Sequence, residues 1–183
     1  MERWNRIGSR KRESYRVFDV REDRVVSPIT GTEYDFFVIE ANDWTNIVPL
    51  TPDGKIVLVR QYRHGTRDLS LEVPGGIVDA GERPIDAAVR ELREETGYEA
   101  GEVVHIGTAD PNPAIQNNRC HMYVAHDCRP VAAQALDGAE EIEVVTVDQD
   151  EIGPLIVSGR ITHSLVVAAF YYFDRYREGL VTT

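Results

Sequence analysis

A cluster of three glutamates is the part of this sequence best suited to chemistry. Glu94 and Glu95 follow Glu91 by three and four positions, so the three side chains share one face if the stretch is helical. Like charges on one helix face repel each other unless something neutralises them. Carboxylate oxygens are ligands that Mg²⁺ accepts together with water and substrate phosphate oxygens. The spacing therefore indicates a divalent-metal site for phosphate chemistry, or else a solvated helix face with local Arg–Glu pairs.

The residues around these glutamates predict the helix that must position them. Pro84 suits the first helical turn, where its missing N–H costs nothing. Gly97 suits the left-handed position just past the end. The apolar stripe expected to face the core is formed by Ile85, Ala88, Val89 and Leu92. A helix over residues 84–96 is therefore expected, with its acidic face turned away from that stripe.

The stretch from Gly76 to Tyr98 resembles the signature of the Nudix hydrolase family, G-x5-E-x7-R-E-U-x-E-E-x-G-U, in which U is a bulky apolar residue. This stretch is called the box below. The nine fixed positions are filled by Gly76, Glu82, Arg90, Glu91, Leu92, Glu94, Glu95, Gly97 and Tyr98. Tyr98 is aromatic where an aliphatic residue is more usual, and no other position departs. The resemblance implies a pyrophosphatase that uses Mg²⁺, with Mn²⁺ as a substitute, on a nucleoside diphosphate linked to another group.

The same resemblance implies roles for individual residues. The implied metal ligands are the carbonyl of Gly75 and the carboxylates of Glu91, Glu94 and Glu95, with Glu82 as an outer ligand or an aid to the loop. Arg90 is expected to orient a glutamate through a charge-assisted hydrogen bond. The alternative for Arg90 is a surface ion pair of little energetic value.

A general base is expected on the loop of residues 136–142. In enzymes of the ADP-ribose type in this family, the base is often a glutamate on a mobile loop before the last strand. Glu140 is the favoured candidate here and Glu141 the second, with Glu94 as the box residue to test next. The alternative is that Glu140 and Glu141 are exposed loop charges without a catalytic role.

Residues outside the signature point to the substrate. Arg63, in Gln61-Tyr62-Arg63, and Glu72, in the run leading into Gly75-Gly76, resemble the ADP-ribose pyrophosphatase branch, where this arginine contacts the diphosphate. Pro113 lies near a marker proline of the same branch, or in a plain turn. Trp44 is a candidate platform for the nucleotide base, or a core residue. The resemblance implies cleavage of ADP-ribose or a related nucleoside diphosphate sugar into a nucleoside monophosphate and a sugar phosphate.

Other substrates and a non-catalytic function stay open as alternatives on the sequence. Other substrates of the same general type are NADH, dinucleoside polyphosphates and an RNA 5′ end. A non-catalytic module that binds nucleotide sugars is a further possibility, although such modules usually lose box glutamates. The net charge of −11 and the pI near 4.9 argue against a nucleic-acid binder, which needs a basic surface. The basic residues between 3 and 12 are the one candidate for an RNA path.

The order of elements predicts an α/β fold. It agrees with the Nudix-fold α/β/α sandwich with a mixed β-sheet that the resemblance implies, preceded by a small N-terminal antiparallel β-sheet. We expect residues 1–45 to form the N-terminal region and residues 46–183 the hydrolase domain. Residues 1–13 are expected to be a frayed or surface segment, and residues 14–27 to form two short strands. So small a sheet needs a packing partner, which favours a homodimer.

The sequence also bears on location and redox state. Cys120 and Cys128 form neither a disulfide framework nor a zinc pattern, so free thiols are expected. No apolar run reaches transmembrane length, and the N-terminus has no apolar signal segment. A cytoplasmic protein without membrane or nucleic-acid partners is the expectation.

Overall fold

The computed structural model describes residues 2–136, 138 and 140–181. The chain divides into two compact units. The first unit comprises Met1–Asn42 and Asp110–Arg119, and the second comprises Asp43–Ala109 and Cys120–Thr183. None of the described helices is long and apolar enough to cross a membrane.

The first unit is a three-stranded antiparallel sheet of order β1-β2-β3. Its strands are β1 (Asn5–Ser14), β2 (Asp19–Val26) and β3 (Glu33–Glu40). Segment 110–119 joins the edge of β3 through a parallel bridge between Ile39 and Gln116. The predicted N-terminal antiparallel sheet is therefore confirmed.

Two details of this sheet differ from the prediction. Residues 5–14 are at the surface, as one alternative had it, but form a full strand and are not frayed, and β2 runs unbroken where two short strands were expected. The pattern of β1 is polar, so it has no apolar alternation to reveal it. Cross-strand ion pairs hold it instead, at 2.7 Å between Arg10 and Glu22 and 2.6 Å between Lys11 and Asp19.

The second unit contains nine strands and three helices among its described residues. The strands are β4 (Trp44–Pro49), β5 (Lys55–Arg63), β6 (Asp68–Glu72), β7 (Gly75–Ile77), β8 (Tyr98–Glu99), β9 (Glu102–Ala109), β10 (Cys120–His126), β11 (Arg129–Pro130) and β12 (Ile142–Asp148). The helices are α1 (Pro84–Thr96), α2 (Ile152–Val157) and α3 (Ser164–Arg177), and a 3₁₀ turn (Gln149–Glu151) precedes α2.

These strands form a mixed arrangement. One sheet has the order β7-β4-β10-β9, in which β4 and β10 are parallel and the other neighbours antiparallel. A second sheet, β12-β5-β6, is antiparallel, and β8 pairs with β11.

Alternate side chains of β10 enter two separate parts of the core, because successive residues of a strand point to opposite faces. Met122 and Val124 belong to the apolar cluster that includes Phe170 of α3. Tyr123 and Ala125 belong to the cluster that includes Leu92 of α1. The sheet is therefore covered by a helix on each face, which confirms the predicted α/β/α sandwich.

The apolar stripe of α1 differs from the prediction at one position. Ala88 and Leu92 are fully buried, as expected, but Val89 is 41% exposed. Ala87 is fully buried in its place. The buried face of α1 is therefore rotated toward Ala87, and Glu95 lies within it. Both cysteines are free and buried, as the sequence indicated.

Candidate active site

Helix α1 is held at both ends by residues that the sequence singled out. Pro84 occupies the first turn. Gly97 has φ +74°, and its N–H donates to the carbonyl of Arg93 over 2.8 Å. A Cβ at Gly97 would lie 2.2 Å from the carbonyl oxygen of Ala132, so only glycine fits. These ends fix the rotation that directs Glu91 and Glu95 toward β7.

Two glycines of β7 allow the backbone to approach those carboxylates. The N–H of Gly75 donates to Oε2 of Glu95 over 3.0 Å. A Cβ at Gly76 would lie 2.3 Å from Oε1 of Glu91. A Cβ at Gly75 would lie 2.1 Å from the carbonyl oxygen of Thr45 on β4. The structure therefore brings together Gly75, Glu91 and Glu95, three of the residues expected to bind metal.

The surroundings of the two carboxyl groups disfavour their charged forms. Glu95 is 4% exposed, and burial raises its pKa to about 8, with the negative charges of Glu91 and Glu140 adding to the effect. Burial also raises the pKa of Glu91, against the opposing effect of Arg90. Both groups would ionise more readily beside a cation.

Arg90 connects the other box carboxylates. Its guanidinium donates to Glu82 over 3.0 Å, to Glu91 over 2.8 Å and to Glu94 over 3.0 Å. The hydrogen bond to Glu82 is the largest contribution to the raised pKa of Arg90. Glu82 also accepts the N–H of Asp79 over 3.0 Å, which ties it into the loop before α1. This geometry suits the predicted orienting role of Arg90.

The donor set fits a hard divalent cation. Among the described residues, no group of three or more His, Cys, Asp or Glu side chains forms a complete set of metal ligands. Glu91 and Glu95 nevertheless offer carboxyl oxygens next to the backbone of Gly75, and their raised pKa values would fall beside a cation. Oxygen donors of this kind are those that Mg²⁺ and similar ions prefer.

Arg63 is paired with Glu72, and its pKa is also affected by the charges of Glu95 and Glu140. Glu72, 3% exposed, accepts two hydrogen bonds from Arg63, at 2.8 Å to Nε and 2.7 Å to Nη2. The pKa of Arg63 is raised, first by the hydrogen bond to Glu72 and further by the charges of Glu95 and Glu140. Among the described residues no hydrogen bond uses Nη1 of Arg63, so Glu72 fixes the side chain while leaving a donor for another anion.

The two base candidates lie on the loop just before β12. Glu140 and Glu141 are both exposed. The charge of Glu140 contributes to the raised pKa of both Glu91 and Glu95, after larger effects of burial. Asp137 and Ala139 of this loop lie outside the described residues.

Trp44 and Pro113 are less closely tied to the carboxylates. Trp44, on β4, is half-buried and packs against the larger apolar cluster. This favours the core alternative for that side chain. Pro113 is exposed on segment 110–119, which belongs to the first unit, whereas the carboxylates belong to the second.

Gln134 is a residue of this region that the sequence did not reveal. Its side-chain amide donates to the carbonyl oxygens of Glu95 and Ile142, over 2.5 Å and 3.1 Å. Both acceptors are backbone atoms, so neither residue type nor spacing could have marked the contact.

Comparison with known proteins agrees with this geometry. Residues 43–168 match the Nudix domain family. A methanol dehydrogenase activator from Bacillus methanolicus is 33% identical over 129 residues, which cover 70% of each chain. An ADP-ribose pyrophosphatase from Bacillus subtilis (strain 168) is 29% identical over 129 residues, again 70% of each chain. A crystal structure of ADP compounds hydrolase superposes with a TM-score of 0.87 at 22% identity, covering 98% of this chain and 96% of the other.

The family match covers more than half of the chain and contains the whole acidic helix. The chain therefore belongs to the Nudix hydrolase family, as its signature predicted.

Proposed function

We propose that this enzyme hydrolyses the pyrophosphate bond of ADP-ribose or a related nucleoside diphosphate sugar. The observation that carries the proposal is a pair of carboxyl groups, those of half-buried Glu91 and buried Glu95, which lie beside the glycines of β7 and whose pKa values are raised. The similarity to an ADP-ribose pyrophosphatase supports the choice of substrate. The products would be a nucleoside monophosphate and a sugar phosphate, AMP and ribose 5-phosphate in the case of ADP-ribose.

The cation in this proposal is Mg²⁺, with Mn²⁺ as a substitute. Its ligands would be Glu91, Glu95 and the carbonyl of Gly75, with Glu94 completing the set and Glu82 outside it. When bound, the ion would neutralise charge on the diphosphate and on the departing phosphate. Arg90 would keep Glu91 and Glu94 in place through the hydrogen bonds described above.

The remaining residues of the proposed site bind the diphosphate and move a proton. Arg63 binds a diphosphate oxygen through its unused Nη1 end, while Glu72 holds the guanidinium in plane. Glu140 accepts a proton from the attacking water, because it is the base candidate whose charge reaches Glu91 and Glu95. Glu141 is the second candidate for this role and Glu94 the third.

A substrate panel tests the proposal directly. The purified protein would be assayed with ADP-ribose, GDP-mannose, NADH and diadenosine polyphosphates, each with Mg²⁺, with Mn²⁺ and with excess chelator. We expect hydrolysis of ADP-ribose or another nucleotide sugar that stops in chelator and returns when Mg²⁺ is added. Full activity in chelator would refute metal dependence, and turnover of NADH or the dinucleotides alone would refute the substrate class. Binding of nucleotide sugars without turnover of any substrate would favour the non-catalytic alternative.

Hydrolysis in ¹⁸O-water would then locate the attack. The label is expected in one of the two monophosphates, since water is the nucleophile in this proposal. Absence of label from both products would refute direct attack by water.

We also propose a homodimer formed in part by the N-terminal sheet. An edge-to-face cluster is formed by Trp4, Tyr34 and Phe36. The ring centroid of Trp4 lies 5.7 Å from that of Tyr34 and 5.8 Å from that of Phe36, although each of the three residues is 46–49% exposed. An exposed aromatic cluster of this kind is typical of an interaction surface. Light scattering should give twice the chain mass, and Phe36→Glu should give the monomer. A monomeric wild-type protein at micromolar concentration would refute the dimer.

A cytoplasmic location is the last part of the proposal. The proposed function assumes that the enzyme has access to nucleotide sugars and Mg²⁺. Fractionation of cells that express the protein at its natural level would test it.

A further inference from the structure

The side chain of Gln134 joins two elements on either side of the loop that carries Glu140. One N–H of its amide group donates to the carbonyl oxygen of Glu95, in the last turn of α1, over 2.5 Å. The other reaches the carbonyl oxygen of Ile142, the first residue of β12, over 3.1 Å. A primary amide has two donor hydrogens, so one side chain can make both bonds. The span of residues 135–141 is therefore closed at both ends by Gln134.

The chain next to Gln134 is bonded to the same helix end. The N–H of Ala135 donates to the carbonyl oxygen of Glu94 over 2.8 Å, and the N–H of Val131 donates to that of Gly97 over 2.9 Å. The last carbonyl groups of a helix have no partner within the helix, so they are available to such donors. Two of the acceptors, Glu94 and Glu95, are residues whose side chains belong to the acidic face. The loop is therefore attached to the backbone of the residues that present the carboxylates.

We propose that Gln134 is a positioning residue that holds Glu140 at its working distance from the box carboxylates. The inference rests on the proposed function, in which Glu140 is the base. Glu140 lies on an exposed loop, two residues before Ile142, whose carbonyl oxygen accepts a hydrogen bond from Gln134. A loop fixed at both ends restricts where Glu140 can lie, and small displacements of a catalytic group are costly in rate. Gln134 touches neither the substrate nor the metal ligands' carboxylates in this proposal.

The first test compares two substitutions of Gln134. Gln134→Ala removes the amide, and Gln134→Glu keeps its size while losing the donor hydrogens at neutral pH. Both should lower kcat by about 10- to 100-fold with little change in KM, because a misplaced base affects the chemical step more than binding. The matched control is Gln149→Ala, which removes a similar bond of 2.6 Å from a glutamine amide to the carbonyl oxygen of Gly54. Equal kcat values for the Gln134 variants and the control would overturn the proposal.

A double-mutant cycle separates positioning from general stability. In a Glu140→Gln background the base is already lost, so Gln134→Ala should lower kcat by less than about twofold further. Multiplication of the two single effects would show that Gln134 acts independently of Glu140, and the proposal would fail. The thermal midpoint of each variant shows whether the protein remains folded under assay conditions.

Hydrogen–deuterium exchange gives a readout that does not depend on catalysis. Gln134→Ala should accelerate exchange in residues 135–141 and leave α3 unchanged, while Gln149→Ala should not affect this loop. Unchanged exchange in the loop would overturn the inference even if kcat falls. If the wild-type protein hydrolyses no substrate, the proposed function fails, and the exchange data still decide whether Gln134 holds the loop.

Discussion

Two buried glutamates, one in each unit, have opposite electrostatic properties. Glu22, on β2, is 6% exposed, and its pKa is lowered chiefly by the hydrogen bond from Arg10, with Arg12 adding a second. Glu95, on α1, is 4% exposed, and its pKa is raised to about 8 by burial. Among the described residues, Glu22 has two arginine partners, whereas no lysine or arginine lies within ion-pair distance of Glu95.

The paired carboxylates of the N-terminal sheet stabilise the structure, whereas the unpaired carboxyl group of Glu95 is suited to bind a ligand. In the N-terminal sheet, carboxylates are neutralised by arginines of the same or a neighbouring strand, so these charges are balanced without a ligand. In α1, Arg90 reaches Glu82, Glu91 and Glu94 but leaves Glu95 to the N–H of Gly75. A buried carboxylate without a counter-charge destabilises its surroundings, and a bound cation removes that cost.

The largest effect that follows from this comparison is on catalysis. Glu95→Gln keeps the size of the side chain and removes its charge. It should lower kcat with Mg²⁺ by about 10²- to 10³-fold, because a charge that acts on the transition state is lost. Glu22→Gln should leave kcat within about twofold, because Glu22 belongs to the N-terminal sheet, where it is paired with arginines, and not to the box. Steady-state assays of both variants decide the matter, and equal losses would contradict the division between the two glutamates.

The second effect concerns the base and sharpens the picture of the box. Glu140→Gln should lower kcat by about 100-fold or more while KM changes little, because the proton transfer it supports occurs in the transition state. Glu141→Gln, at the next exposed position, is the matched control and should have a much smaller effect. Small and equal effects at both positions would move the base to Glu94.

The third effect is on stability and has opposite signs for the two glutamates. Glu22→Gln should lower the thermal midpoint, because Arg10 and Arg12 lose their shared partner. Glu95→Gln should leave the midpoint of the metal-free protein unchanged or raise it, because a neutral amide replaces a buried carboxyl group whose ionisation is disfavoured. Added Mg²⁺ should stabilise the wild type, since it binds the folded state, and should stabilise Glu95→Gln much less. A drop in midpoint for both metal-free variants would contradict the comparison.

The fourth and smallest effect is a pH dependence of the N-terminal sheet. Hydrogen bonds from Arg10 to Glu22 and from Arg24 to Asp35 lower the pKa of these carboxyl groups in the folded state. The ion pairs therefore contribute fully above the ordinary values of 4.5 and 3.8, and the contribution is lost as the pH falls below them.

Fluorescence of Trp4, which contacts Tyr34 and Phe36 in this sheet, would follow the transition in a Trp44→Phe background. The same titration in high salt should show a weaker dependence, because salt screens the exposed members of these pairs, Arg10, Arg24 and Asp35. A signal that does not change between pH 6 and pH 3 would contradict the prediction.

The sequence was sufficient for the fold class and the family because nine positions of one signature are present together. It also located the helix, since Pro84 and Gly97 mark its ends through simple backbone preferences. It failed for β1, where ion pairs replace the apolar alternation that reveals a strand. It also failed for Val89, because a three- and four-residue spacing cannot fix the rotation of a helix against a sheet.

The contacts of Gln134 illustrate a different kind of limit. Both of its partners are backbone carbonyls, and one lies 39 positions away in sequence. The type of a side chain does not indicate which distant backbone carbonyl it will bond to. The roles of Glu140 and Arg63 likewise stay predictions, because their surroundings are formed by several elements and the sequence names only the residues.

The parallel pairing of β4 with β10 also has a consequence for how the protein folds. Trp44 on β4 pairs with Cys120 on β10, and the acidic helix, β7 and β9 all lie between them in the chain. Closing so long a segment costs entropy before the pairing is rewarded, and folds rich in such pairs typically form in milliseconds to seconds. The helix depends on local contacts, whereas the pairing of β4 with β10 requires this long segment to close. We therefore expect this pairing to be a slow step of folding, and the fluorescence of Trp44 on β4 is a suitable probe for it.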